Sequence, residues 1–185
     1  DDGELYLESA RGESITYDDQ RLRSANYSAS QGFGLRAING EVIGYSHSSD
    51  ISKSAVMNAG RTVQLVINGS TNAAKAPEKT MKSLYCKNDP MISIPFDQKV
   101  DLLKEIDSYT RSLDRRVIQA TISFGASIQE VKILRGHGNL TTDIRPMARL
   151  NSNVIVEQNG RRESGSSGAG GRFDLTTLIM NNLWE

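Results

Sequence analysis

The stretch at residues 31–50, QGFGLRAINGEVIGYSHSSD, decides how the rest of the chain is read. Phe33, Leu35 and Ala37 alternate with Gly34, Arg36 and Ile38 at strand period. Asn39-Gly40 predicts a two-residue hairpin turn, because both central positions of a type I′ turn need positive φ. On the return, Val42, Gly44 and Ser46 alternate with Ile43, Tyr45 and His47, so one face is larger and more apolar. Ser48-Ser49-Asp50 offers capping oxygens to a helix beginning near Ile51. Hairpin and helix make a small α+β unit, and earlier strands can pair onto its edge.

Before this unit, residues 4–10 and 14–17 read as two short strands broken at Arg11-Gly12-Glu13. Asp18-Asp19-Gln20 is a turn, and residues 21–30 form a third strand with one face open to water. With the hairpin, about five antiparallel strands are expected, an ordinary number for one sheet. After it, the first helix runs over residues 51–67, with Ile51, Ala55, Ala59, Thr62 or Val63, and Val66 at helical spacing. Residues 70–95, with three prolines, read as a loop, which at that length is functional or mobile.

The second helix spans residues 96–113, with Val100, Leu103, Ile106, Thr110 and Leu113 on one face. Asp97, Lys104, Glu105 and Arg111 are expected to face water. Residues 115–124 and 129–134 read as a hairpin across Gly125-Ala126-Ser127. A further strand over residues 141–158 is expected to be interrupted at Pro146, which cannot donate to a ladder. Residues 159–172 read as a glycine- and serine-rich connector, and a last helix starts at Asp174. The fold class is therefore α+β: an antiparallel sheet with two main helices on one face, strand-rich halves flanking a helix-loop-helix segment.

Composition excludes several functions. Lysine plus arginine equal aspartate plus glutamate at 22 each, so no global field invites nucleic acid. No apolar run approaches the roughly 20 residues a membrane helix needs. One cysteine, Cys86, allows no internal disulfide and fits a reducing compartment. The chain starts Asp-Asp-Gly without methionine and stops at Trp184-Glu185 inside an expected helix, which suggests part of a longer protein.

No residue pattern points to catalysis. His47, His137 and Cys86 are isolated by sequence and lack the close pairs of metal sites; a strand-end histidine, a turn histidine and a loop thiol is the simpler reading. Residues 159–172 lack both the Gly-Lys-Ser/Thr of a phosphate loop and Gly-x-Gly-x-x-Gly spacing. Arg161, Arg162 and Arg172 read as a solvated basic rim. Asp143, Arg145 and Pro146 read as a structural corner before a substrate contact. Glu4, Glu8, Asp18 and Asp19 lie on strand faces or a turn and read as solvated. No catalytic or metal-ligating residue is assigned, and the substrate-binding residues stay open.

Four segments carry a resemblance: residues 32–36 (GFGLR), 96–104 (FDQKVDLLK), 143–146 (DIRP) and 168–172 (GAGGR). In this order, with the inter-helix loop and the helix end flanked by Asp114, the chain resembles the amino-terminal region of the TldD/PmbA family. These proteins were once called modulators of DNA gyrase and are treated as metalloproteases. The resemblance implies residues 1–158 as the amino-terminal α+β domain, and 159–185 as a connector and helix start leading to a catalytic domain. There a His-Glu-x-x-x-His helix and a distant cysteine would bind zinc; His47 precedes Ser48 and His137 precedes Gly138, so neither opens that motif. The resemblance further implies a cytoplasmic homo- or hetero-dimer that hydrolyses unfolded peptides. This region would form chamber wall and dimer surface, with no zinc of its own. A non-catalytic partner subunit of the same family is the alternative; partnership with nucleic acid or membrane is not expected.

Overall fold

The computed structural model describes residues 2–67, 84–136 and 138–180. Its elements are β1 (Asp2–Asp18), β2 (Arg21–Asn39), β3 (Val42–Ser48), α1 (Lys53–Ile67), α2 (Phe96–Leu113), β4 (Val117–Arg135), β5 (Leu140–Gln158), β6 (Arg161–Gly171) and α3 (Leu175–Met180). The six strands form one sheet in the order β3-β2-β1-β4-β5-β6, two meanders joined where β1 lies beside β4. The α+β expectation holds, but with fewer and much longer strands. The described residues fall into two compact units. The first holds those within 1–10, 29–84 and 129–144, the second those within 11–28, 85–128 and 145–185.

Several predicted breaks are absent. β1 runs straight through Arg11-Gly12-Glu13, and β2 joins the predicted third strand to the Gln31–Asn39 segment. β4 passes through Gly125-Ala126-Ser127 without a hairpin. The physical reason is the alternation of Ala120, Ile122, Phe124, Ala126 and Ile128: all five are buried, and a turn at Gly125 would lose that register. β5 likewise continues through the buried Pro146.

The glycine- and serine-rich connector is a strand. β6 pairs antiparallel with β5 from Gln158↔Arg161 to Ala148↔Gly171. Asn159 (φ 53°) and Gly160 (φ 77°) supply the two positive-φ positions of a tight hairpin turn. At the Asn39 hairpin the turn sits one residue later than predicted. Asn39 pairs with Val42, and Gly40 takes φ 58° at the first central position.

In the first unit, α1 packs against β3. Phe33 on β2, Gly44 on β3, and Ala59 and Val63 on α1 are buried in this unit. The small face of β3 is the covered one, and Ile43 and Tyr45 on the larger face are exposed. Ser52, rather than the Ser48–Asp50 run, caps the helix: its Oγ accepts from the Ala55 N–H at 3.2 Å. Asp50 in turn accepts from the Ser52 N–H at 2.8 Å. Val66, expected on the stripe, is exposed.

In the second unit, α2 buries Lys99, Leu102, Leu103, Ile106 and Asp107. The covered stripe is thus rotated from the predicted one, and Leu113 lies exposed. Arg111, expected in water, is half-buried and donates to Asp107 at 3.1 Å. Of residues 70–95, only 84–95 fall within the described residues; they contain neither helix nor strand, and Pro90 and Met91 are buried.

Candidate functional site

The first unit carries an open trough of about 590 Å³. Its floor is glycine. Gly34 pairs with His47 and Arg36 with Tyr45 across β2 and β3. Side chains on that shared face therefore stand together. A Cβ on Gly34 would come 2.8 Å from the Tyr45 hydroxyl, and one on Gly32 would meet the Ser48 carbonyl oxygen at 3.0 Å. Glycine at these positions lets the Tyr45 ring lie across the sheet. The Tyr45 and His47 rings form a tilted pair with centroids 5.8 Å apart. Along β1, Glu4, Tyr6 and Glu8 share one side and line the same trough.

Its charges are separated. Tyr6 donates to Glu8 at 2.5 Å, a neutral partner that leaves the carboxylate charge uncompensated. Glu4 faces Arg135 at 3.8 Å, and Gly3 lies beside the Arg36 carbonyl. Arg36 is exposed and makes no ion pair among the described residues. One end of the trough therefore carries Arg36 and Glu4, the latter already facing Arg135 outside the lining, and the other carries Glu8 with Ser30, Gln31, Ser48 and Ser49 around it.

The second unit is built around a different ionic centre. Lys99, 3% exposed, donates to Glu13 and to the Met91 carbonyl, each at 2.5 Å. Its ammonium stands 5.7 Å from the Phe124 ring centroid. This lysine was missed in the sequence, although its spacing of three, four and seven from Leu102, Leu103 and Ile106 places it on the buried stripe. It ties α2 to β1 and to the segment before α2. Asp18 accepts from Thr121 at 2.6 Å and Gln119 at 3.0 Å, which holds its carboxyl below the usual range, with smaller help from Arg23 and Arg111. It is not the freely solvated turn residue the sequence suggested. A polar cleft beside this network is lined by Gln119, Thr121, Asn153 and Ser164 among others.

Of the residues weighed for metal, two can be placed. His47 lies in the trough of the first unit, whereas the Cys86 thiol, in the second, approaches the Arg172 carbonyl at 3.8 Å. His137 lies outside the described residues. Among the described residues no group of three or more His, Cys, Asp or Glu is placed to hold a metal ion. Of the rim arginines, Arg161 pairs with Glu163 at 2.5 Å and Arg162 with Glu157 at 2.6 Å, while Arg172 lies over Tyr85. Asp143 and Arg145 are half-buried within continuous β5 and both have partners.

Two family models match consecutive stretches of the chain, whose division in sequence differs from that of the two compact units. Residues 3–67 match the model of PmbA/TldA metallopeptidase domain 1, and residues 89–185 match the PmbA/TldA metallopeptidase central domain. The chain belongs to the TldD/PmbA family. Over 97% of its length it is 34% identical to the metalloprotease TldD homolog of Buchnera aphidicola subsp. Acyrthosiphon pisum. It is 30% identical to that of Haemophilus influenzae over 95%. It spans only 38% and 37% of those two relatives. The same fold occurs in a putative modulator of a DNA gyrase from Thermotoga maritima. That match has a TM-score of 0.76 and 12% identity, and covers 99% of this chain and 42% of the other. TldE from Thermococcus kodakarensis matches with a TM-score of 0.71 and 15% identity, over 99% of this chain and 42% of that one.

Proposed function

We propose that this TldD/PmbA chain is the amino-terminal part of a zinc metalloprotease that hydrolyses unfolded peptides. It contributes chamber wall and dimer surface, not the zinc site. The observation that supports this most is the pair of metallopeptidase domain matches in sequence order, together with relatives named metalloprotease TldD homolog at 30% identity or more. The described residues do not fit a zinc site, so the metal that activates water and polarises a scissile carbonyl would be held by other residues of the longer protein. No step through it is assigned to this chain. Among the described residues the outer edge of β6 has no sheet neighbour, and β6 carries only small side chains from Ser164 to Gly171, which suits main-chain pairing with an extended peptide of any sequence. Balanced charge argues against a nucleic-acid role. The protein would act in the cytoplasm, as a homo-dimer or paired with another family member.

A non-catalytic partner subunit of the same family is the second reading, and the likeness in fold to TldE is compatible with it. Incubating the longer protein with an unstructured peptide, alone and mixed with a second family member, separates the two. The protease reading expects cleavage by the longer protein that a zinc chelator stops. Cleavage only when the other member supplies the zinc motif favours the partner. Cleavage by residues 1–185 alone, or one zinc per chain in them, would sink both assignments.

A further inference from the structure

We propose that the trough of the first unit is a binding site for short free peptides of three or four residues, held by their two charged ends. This rests on the reading that the longer protein generates peptides, but it concerns a site separate from any zinc chemistry. The motivating observation is the polarity of the trough. Glu8, which accepts from the Tyr6 hydroxyl and makes no ion pair among the described residues, marks the negative end. Arg36, beside a Glu4 that already faces Arg135, marks the positive end.

The spacing sets the ligand length. Glu4 and Glu8 are four residues apart on β1, as are Gly32 and Arg36 on β2. Four residues of strand span about 13 Å. An extended peptide covers about 3.3–3.6 Å per residue, so three to four residues reach from one end to the other, and a single amino acid does not. The ammonium of such a peptide would meet Glu8, with the Ser48 and Ser49 hydroxyls nearby; its carboxylate would meet Arg36, whose planar fork suits a carboxylate.

The middle of the trough supplies an apolar contact. Tyr45, 62% exposed, lies over Gly34 and pairs with the exposed His47 ring. A side chain from the centre of the peptide can stack on this pair. Because the floor glycines leave room only where the Tyr45 ring lies flat, a branched side chain at Gly34 would displace the ring and close the middle.

The test is direct binding to the longer protein with zinc chelated, so that hydrolysis does not enter the readout. The probe is the free tripeptide Ala-Phe-Ala, compared with its N-acetylated and its C-amidated forms by calorimetry. Saturable binding is expected for the free form, weakened roughly tenfold or more by blocking either end. Glu8→Gln should remove the penalty for acetylation only, and Arg36→Gln the penalty for amidation only. Tyr45→Ala should weaken Ala-Phe-Ala more than Ala-Gly-Ala. Equal affinity for free and blocked peptides, or unchanged preferences in Glu8→Gln and Arg36→Gln, overturns the proposal, as does absence of saturable binding by the folded protein. Loss of this binding with chelator-sensitive cleavage of long peptides intact would reject the trough and leave the protease reading standing. Binding without cleavage would do the reverse.

Discussion

Lys99 shows how one side chain can fix three segments at once. Its ammonium is buried, and it is tolerated there because Glu13 and the Met91 carbonyl replace its water. Lys99→Met would leave Glu13, 14% exposed, without its ion partner, and should cost about 3–5 kcal/mol in a urea titration. Adding Glu13→Gln should recover part of that loss; a double variant no more stable than the single one would mean the pair is not coupled. Asp18 gives a pH signature of known sign. Its folded carboxyl is held low, so its stabilisation is complete above the unfolded value of about 3.9 and is lost as pH falls through the lower folded value. Asp18→Asn should therefore unfold at lower urea than the wild type at neutral pH, with the gap closing below about pH 4. A gap that widens in acid would contradict the hydrogen-bond assignment. The stripe position of Lys99 was readable in the sequence, but charge argued for water. Asp18 gave no such sign, since its partners Gln119 and Thr121 lie about a hundred residues away.

Among the elements, α2 is the firmest. Its bounds were legible because Leu103 and Ile106 recur at helical spacing, whereas the exact face was not, since Val100 and Leu113 fit the same period. Leu103→Ala, at a fully buried position, should cost about 2–5 kcal/mol. Exposed Lys104→Ala should stay within roughly 0.5 kcal/mol. Equal urea midpoints would mean that α2 does not cover its part of the sheet. β6 is the opposite case. An edge strand wet on most of its length has no apolar alternation, so its composition cannot be told from a flexible loop. The packing does distinguish them: a Cβ on Gly170 would sit 2.7 Å from the Ala148 carbonyl oxygen. Gly170→Ala should destabilise the chain by about 1–3 kcal/mol and lower amide protection along β6. A neutral substitution with unprotected amides would return these residues to a loop.

At the scale of the molecule, the α+β class was visible from residues 31–50, but the length of the strands was not. Glycine, serine and proline were read as punctuation at Gly12, Gly125 and Pro146, where the backbone continues in the sheet. The even spacing of buried residues from Ala120 to Ile128 carried the contrary signal, because only one unbroken strand keeps them all on one face. The trough was invisible for another reason. It takes residues from three strands, and neither the Tyr45–His47 pair nor its separation from Glu8 exists until the sheet has formed.

The strand order also has a consequence in time. β1, β2 and β3 are consecutive, so they can pair while the chain is still being synthesised, but the other neighbour of β1 is β4. The Asp18 bonds to Gln119 and Thr121 close over 101 and 103 residues. At roughly 5–20 residues per second, the ribosome takes about 5–20 s to deliver that partner. For this interval the inner edge of β1 waits unpaired, the very edge the finished sheet hides. An unpaired edge is a template for wrong partners. The nascent chain, rather than the folded one, is thus the form most in need of a chaperone.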